Sequence, residues 1–206
     1  MFYGNFRSYI EFLNTGGLDT QFSITLMCWV QPGGQNGALF NYISTTAVSN
    51  GNSQFYEGVH MGINEGKLFF RIVARRFHEN IRSIKTPEVL PVGKWVHVAA
   101  SYDHSSGRNS LYINGHLKAS HNIDRGYQIL TNTQKVLMGS RSGSDNKNFT
   151  GKIAEMKVYD IALNEAQIQT SIRQGNCTFP IIVVSLPSPM IPLIIETLVI
   201  EQPRKR

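Results

Sequence analysis

Basic side chains are concentrated between residues 71 and 85, where Arg71, Arg75, Arg76, Arg82 and Lys85 occur. Arg71 and Arg75 share one face of an alternating segment, and the other three follow in the adjoining turn and strand. A guanidinium group binds sulfate or carboxylate through two parallel hydrogen bonds. If the two strands pair, we predict that these five residues form a patch that binds an anionic ligand. The alternative is that the outward charges keep the sheet soluble and its edge unpaired.

The overall composition fits one folded domain with an anionic partner. The chain has 206 residues, 41% of them hydrophobic, a net charge of +6 and a pI near 9.4. This charge favours sulfated glycans, acidic lipids or nucleic acid. Zinc-ligand spacing, a helix-turn-helix pattern and aromatic RNA-binding motifs are all missing from the sequence, so we predict no nucleic-acid partner.

Short alternating segments separated by turn residues run through most of the chain. This pattern predicts an all-β protein, an antiparallel β-sandwich. The predicted strands are residues 8–13, 22–31, 38–44, 58–63, 67–75, 80–86, 95–102, 110–113, 116–120, 135–140 and 152–159.

A hairpin is predicted around Asn114 and Gly115, because both central positions of a type I′ turn need a positive φ angle. The strand before it alternates, with Trp95 on one face and Val96 and Val98 on the other. We expect these residues to be scaffold, packing or shaping the sheets.

The C-terminal region contains one predicted helix and a tail. Asn164 is a good N-cap, Gln167 completes a capping-box-like pair, and Gly175 ends the helix. We therefore place one domain at residues 1–176. Residues 177–206 form a hydrophobic, proline-rich tail that we expect to be unpacked. A membrane segment there is the weaker alternative, because four prolines and Glu196 oppose a spanning helix.

The two cysteines, Cys28 and Cys177, are too few for a disulfide framework and lack metal-ligand spacing. Cys28 lies mid-strand among apolar residues, which favours a small buried side chain over a bridge. A bridge between the two remains open if the protein is secreted.

Five motifs occur in a fixed order, at residues 22–30, 93–99, 111–115, 149–159 and 162–168. This succession resembles the laminin-G-like and pentraxin-like branch of the concanavalin A-like lectin/glucanase superfamily. The resemblance covers roughly residues 2–175 and implies a jelly-roll sandwich of two curved antiparallel sheets. It leaves open whether the family's first strand is missing from this chain.

The resemblance also raises the question of calcium. Pentraxin-type members bind calcium through acidic loop residues, but here Ser140, Arg141 and Ser142 occupy those positions, and calcium needs six to eight oxygen ligands. A weaker site of the laminin-G kind remains open. Its ligands would be Asp145 and Asn146, with Asn50 and Asn52.

The superfamily includes glucanases, so catalysis has to be considered. Retaining glycosidases need two carboxylates about 5–5.5 Å apart. Glu155 shares its predicted strand face with Lys157 and Tyr159, which gives no acidic pair. His97 and Asp103 lie near one strand without a nucleophilic serine or cysteine turn. We predict that the protein is not an enzyme.

The resemblance implies a non-catalytic extracellular recognition module, in an adhesion or matrix context, that binds carbohydrate or protein. The alternatives are a structural fragment of a larger multidomain protein without its own ligand site and, less favoured, a glucanase-like hydrolase. The sequence shows no signal peptide. Two glycosylation triplets, at Asn148 and Asn176, fit secretion.

Overall fold

A computed structural model describes residues 1–5, 8–45, 55–73, 80–123, 126–131, 135–141, 148–174, 182–185 and 193–195. The strands are β1 (Phe2–Tyr3), β2 (Ile10–Phe12), β3 (Ile24–Pro32), β4 (Gly37–Thr45), β5 (Phe55–Asn64), β6 (Lys67–Val73), β7 (Asn80–Lys85), β8 (Val96–Asp103), β9 (Arg108–Ile113), β10 (His116–Asn122), β11 (Val136–Met138), β12 (Thr150–Tyr159), β13 (Ile182–Ser185) and β14 (Leu193–Ile195). The helix α1 is Glu165–Gln174.

Two sheets form the sandwich, which confirms the predicted fold class. The eight-stranded sheet has the order β10-β9-β8-β3-β12-β13-β14, with β1 also paired to β12. The six-stranded sheet has the order β2-β11-β4-β5-β6-β7. Among the described strands all pairs are antiparallel except β12 with β13.

The main core lies between the sheets and is built by alternation. Successive side chains of a strand point to opposite faces, so every second residue is buried. In the six-stranded sheet, one cross-strand row of buried apolar residues runs through Met138, Phe40, Met61, Phe70 and Ile84. Residues of β3 and β8 face this row across the sandwich. They include the register pairs Leu26–Ala100, Cys28–Val98 and Val30–Val96.

Cys28 belongs to this core and is a free thiol. It is fully buried, and burial raises the pKa of its thiol well above the ordinary range. The interpretation of Cys28 as a small buried side chain agrees with this position. Cys177 lies outside the described residues.

A second, smaller core lies on the outer face of the eight-stranded sheet. Met27, Ala99 and Tyr112 of the sheet pack there against Leu163 and Ile168. The helix begins as predicted: the Asn164 backbone N–H donates to Gln167 Oε1 at 2.9 Å, and the Gln167 N–H donates to Asn164 Oδ1 at 3.0 Å. The helix therefore covers part of this outer face.

The predicted Asn114–Gly115 hairpin is present, with φ angles of 51° and 79°. Val96 and Val98 pack in the main core, as expected. Trp95 differs from the expectation, because its side chain is 45% exposed. It immediately precedes β8 and lies on the outer face, beyond the part of the sheet that α1 covers.

Strand β12 contains a β-bulge that the alternating pattern did not predict. Its register with β3 shifts by one residue between Ala154 and Lys157, and Glu155 has a φ of 50°. Consequently Lys157 pairs with Met27 on the outer face, while Met156 packs in the main core. The predicted common face of Glu155, Lys157 and Tyr159 is thus interrupted at Glu155.

Two described segments of the C-terminal tail, β13 and β14, form strands of the eight-stranded sheet. The rest of residues 177–206 lies outside the described residues, so the domain boundary stays a prediction. No helix of the described part of the chain is long and apolar enough to cross a membrane.

Candidate functional site

A row of polar residues crosses the outer face of the six-stranded sheet, one residue out of step with the apolar core row. It runs from Leu137 of β11 through Asn41, His60, Arg71 and Ser83, each directly opposite the next in the register. We call Asn41, His60, Arg71 and Ser83 the polar row. Alternation puts it on the face opposite the core.

The register tests which of the predicted basic residues the strands bring together. Strands β6 and β7 pair, with Arg71 opposite Ser83 and Phe69 opposite Lys85. Arg71 and Lys85 therefore lie on the same outer face. Arg82 stands opposite Ile72, a core residue, so its register position does not belong to the row of Arg71. Arg75 and Arg76 lie outside the described residues.

Arg71 is half-buried, and burial lowers the pKa of its guanidinium. An arginine nevertheless keeps its charge in proteins, so the cation is held where water solvates it incompletely. Such a group gains more from an anion than a fully hydrated lysine does. Lys85 is more exposed and is already matched by Glu65, whose Oε2 lies 3.2 Å from Nζ, and by Asn64.

Asn41 and His60 are the buried members of the polar row. Asn41 is fully buried and His60 is 6% exposed. His60 Nδ1 donates to Asn41 Oδ1 at 2.9 Å, which fixes the imidazole tautomer, and the ring lies 5.5 Å from that of Phe69. At Gly62 a Cβ atom would approach His60 Nε2 to 3.1 Å, so the glycine makes room for the ring. Asn41 Nδ2 has no hydrogen-bond partner among the described residues.

Sequence reasoning identified Arg71 and missed Asn41 and His60. A signal was present, because each of the three is a polar residue between buried apolar neighbours on its strand. Only the register shows that the three positions form one row, and bulges in the β4–β5 pair shift that register twice.

The predicted calcium ligands Asp145, Asn146, Asn50 and Asn52 all lie outside the described residues. Within the described part of the chain, no group of three acidic, histidine or cysteine side chains could hold a metal ion. At the described end of the same loop, the Ser140 hydroxyl donates to Asn148 Oδ1 at 2.6 Å, and Arg141 adds a cation. These two residues do not fit a calcium site.

Asn148 was predicted to carry a glycan, and this stays a prediction. Its side chain is buried, and its Oδ1 accepts the Ser140 hydrogen bond. A glycan would be attached to Nδ2 of this amide, so attachment would require the buried side chain to become accessible. Asn176 lies outside the described residues.

His97 and Asp103 do not form a catalytic pair. They lie six residues apart on one strand, which corresponds to about 20 Å. Asp103 accepts hydrogen bonds from Ser105 and Ser106, whereas His97 packs against Trp29 with ring centroids 5.4 Å apart. Each residue therefore has a local structural environment.

Comparison with known proteins gives a consistent result. A laminin-G-type family model, described as the concanavalin A-like lectin/glucanases superfamily, matches residues 4–169. Pappalysin-1 of Mus musculus is 28% identical over 172 residues, covering 77% of this chain and 10% of that protein. The chain thus spans about a tenth of the length of that relative.

Two solved structures show the likeness of fold. The heptameric SAP-like pentraxin of Limulus polyphemus has a TM-score of 0.60 at 21% identity, covering 92% of this chain and 86% of that one. The CBM40 of Ruminococcus gnavus IT-sialidase, bound to α2,3-sialyllactose, has a TM-score of 0.56 at 18% identity, covering 73% of this chain and 82% of that one. At these identities the likeness concerns the fold alone.

Proposed function

This chain belongs to the laminin-G-type family of the concanavalin A-like lectin/glucanase superfamily, and we propose that it is a non-catalytic recognition module that binds an anionic glycan. Its structural relatives support carbohydrate or protein binding as the class of function. Domains of this family are typically extracellular, and we propose the same location for this one.

The observation that carries the proposal is the position of Arg71. Its half-buried guanidinium lies on the outer face of the six-stranded sheet, beside the Asn41–His60 pair and opposite the exposed Ser83. A sulfate or carboxylate on a sugar matches the paired donors of a guanidinium. Lys85, on the same face, adds positive charge, and we propose that Arg75 and Arg76 extend the patch.

Heparin affinity chromatography tests this proposal. We expect the protein to be retained and Arg71→Ala to elute at clearly lower salt, because a charge-assisted hydrogen bond is lost; the affinity should fall roughly tenfold. Arg71→Ala with Arg75→Ala should fall further. Exposed charges are screened by salt, so retention should weaken steadily as ionic strength rises.

Arg108→Ala is the matched control, because Arg108 is an exposed arginine on β9 of the other sheet. It removes the same charge and should leave retention nearly unchanged. If the double variant is folded by circular dichroism and elutes at the wild-type salt concentration, the proposed site is wrong.

A further inference from the structure

Both tryptophans of the chain lie together on the outer face of the eight-stranded sheet. Trp29 is opposite His97 in the β3–β8 register, and Val30 is opposite Val96, so Trp95 falls diagonally across from Trp29. Diagonal neighbours of this kind have Cβ atoms about 7–8 Å apart. On the other side of β3, Gln31 is opposite Lys152. We call Trp29, Gln31, Trp95 and Lys152 the tryptophan face.

The helix leaves this face uncovered. It packs over Met27, Ala99 and Tyr112, which are buried, whereas Trp29 is half-buried and Trp95 is exposed. Exposed tryptophan is uncommon on a solvated surface and frequent where a ligand or partner binds, because its large rigid ring contributes much contact area. The main core does not need these two side chains, since they point away from it.

The two polar residues of the tryptophan face, Gln31 and Lys152, each present a group that can hydrogen-bond a ligand. Gln31 Nε2 donates to the Gly93 carbonyl at 2.8 Å, which fixes the amide, and no described residue occupies its Oε1. Lys152 is exposed, and no described residue pairs with its ammonium group. The face thus offers an oriented acceptor, a cation that has no partner among the described residues, and two indole rings.

A buried residue supports one of the rings. His97 is 4% exposed and meets Trp29 edge to face, with an interplanar angle of 81°. Its Nδ1 is buried and has no hydrogen-bond partner in the described structure. The imidazole lies beside the Trp29 ring on the same face and restrains it, and a rigid platform loses little entropy on binding.

From this arrangement we infer that the tryptophan face is a second saccharide site, which binds an acidic pyranose. The inference rests on the proposed function, since it assigns that function a further surface. A pyranose has an apolar C–H face that stacks on indole and a rim of hydroxyl groups that Gln31 and Lys152 can hydrogen-bond. The exposed ammonium of Lys152 favours a sugar that carries a carboxylate.

Intrinsic fluorescence tests the inference directly, because the chain has only two tryptophans and both lie on this face. The probes are a hexasaccharide of alternating glucuronate and N-acetylglucosamine and the neutral N-acetylglucosamine hexamer. We expect the acidic probe to change the wild-type emission in a saturable way. Lys152→Ala should weaken this binding roughly tenfold, and the neutral probe should bind about as weakly as the acidic one does to that variant.

The stacking is tested by Trp95→Ala, in which Trp29 remains as the reporter. We expect no saturable response in this variant and a restored response in Trp95→Tyr, which keeps an aromatic ring. Phe22→Ala is the matched control, because Phe22 is an exposed aromatic residue elsewhere on the surface. An unchanged response in folded Trp95→Ala, equal binding of the neutral probe, or no response in the wild type would each overturn the inference.

The two sites can be separated by crossing the tests. Arg71→Ala should elute from heparin at clearly lower salt and keep the fluorescence response, whereas Trp95→Ala should lose the fluorescence response and keep most of its heparin retention. If heparin retention fails and the fluorescence response persists, the Arg71 proposal is wrong and the tryptophan face stands.

Discussion

The outer faces of the two sheets differ in the residues that they carry and in what covers those residues. The six-stranded sheet carries a row of polar residues, Asn41, His60 and Arg71, in which buried groups bond to one another. The eight-stranded sheet instead places apolar residues on much of its outer face and covers them with α1. Polar groups on a buried face need partners, whereas apolar groups need only to be covered.

On each face, a different kind of residue remains able to contact a ligand. On the six-stranded sheet, the Asn41–His60 pair is buried and Arg71 is the group best able to reach an anion. On the eight-stranded sheet the helix covers one part, and the uncovered remainder holds both tryptophans. Charge thus marks one candidate site, and aromatic surface marks the other.

The largest effect should come from removing the apolar cover. Ile168 is fully buried between α1 and the sheet, so Ile168→Ala should lower the free energy of unfolding by about 2–5 kcal/mol. Chemical denaturation measures this. Arg173→Ala, on the exposed side of the same helix, should change it by less than about 0.5 kcal/mol. Similar values for both variants would show that the helix does not contribute through packing.

The pH dependence of stability should show whether His97 is shielded from water in the folded protein. Burial lowers the pKa of His97 to about 3, and the charge of Lys157 contributes. The unfolded chain takes up this proton near pH 6.5 and the folded chain does not, so stability is complete above pH 6.5 and falls as the pH drops towards 3. The slope is about 1.4 kcal/mol per pH unit, or about 2 kcal/mol from pH 6.5 to 5.

The measurement is the stability difference between wild type and His97→Gln, which carries no titrating ring. This difference should shift against the wild type by about 2 kcal/mol when the pH falls from 7.5 to 5. If the stability difference between wild type and His97→Gln is constant with pH, His97 is hydrated in the folded protein.

A smaller effect is expected on the polar face. Asn41→Ala removes the acceptor of the His60 Nδ1 proton and leaves a buried donor, which should cost about 1–2 kcal/mol of stability. Ser83→Ala, at the exposed end of the same row, should be nearly neutral. A neutral Asn41→Ala variant would show that water replaces the amide and that this face is not dry.

Much of the fold could be predicted from local patterns. The sandwich, the Asn114–Gly115 hairpin and the Asn164–Gln167 cap follow from alternation, from positive φ angles and from a reciprocal side-chain bond. The β12 bulge could not be predicted, because it depends on Met156 packing in the main core while Lys157 bonds to Ser171 of α1 on the outer face. The exposure of Trp95 could not be predicted either. Alternation along the strand indicates which face of the sheet a residue lies on, but not which element covers that face.

The candidate site was predicted in part. The spacing of Arg71 indicated an outward cation, but its neighbours Asn41 and His60 come from strands that the sequence places 30 and 11 positions away. Local sequence thus determined which residues point outward and which point to the core, because the two-residue period of a strand is a local property. Tertiary structure decided which outward residues meet and which stay exposed, since strand register, bulges and the docking of α1 depend on contacts between distant segments.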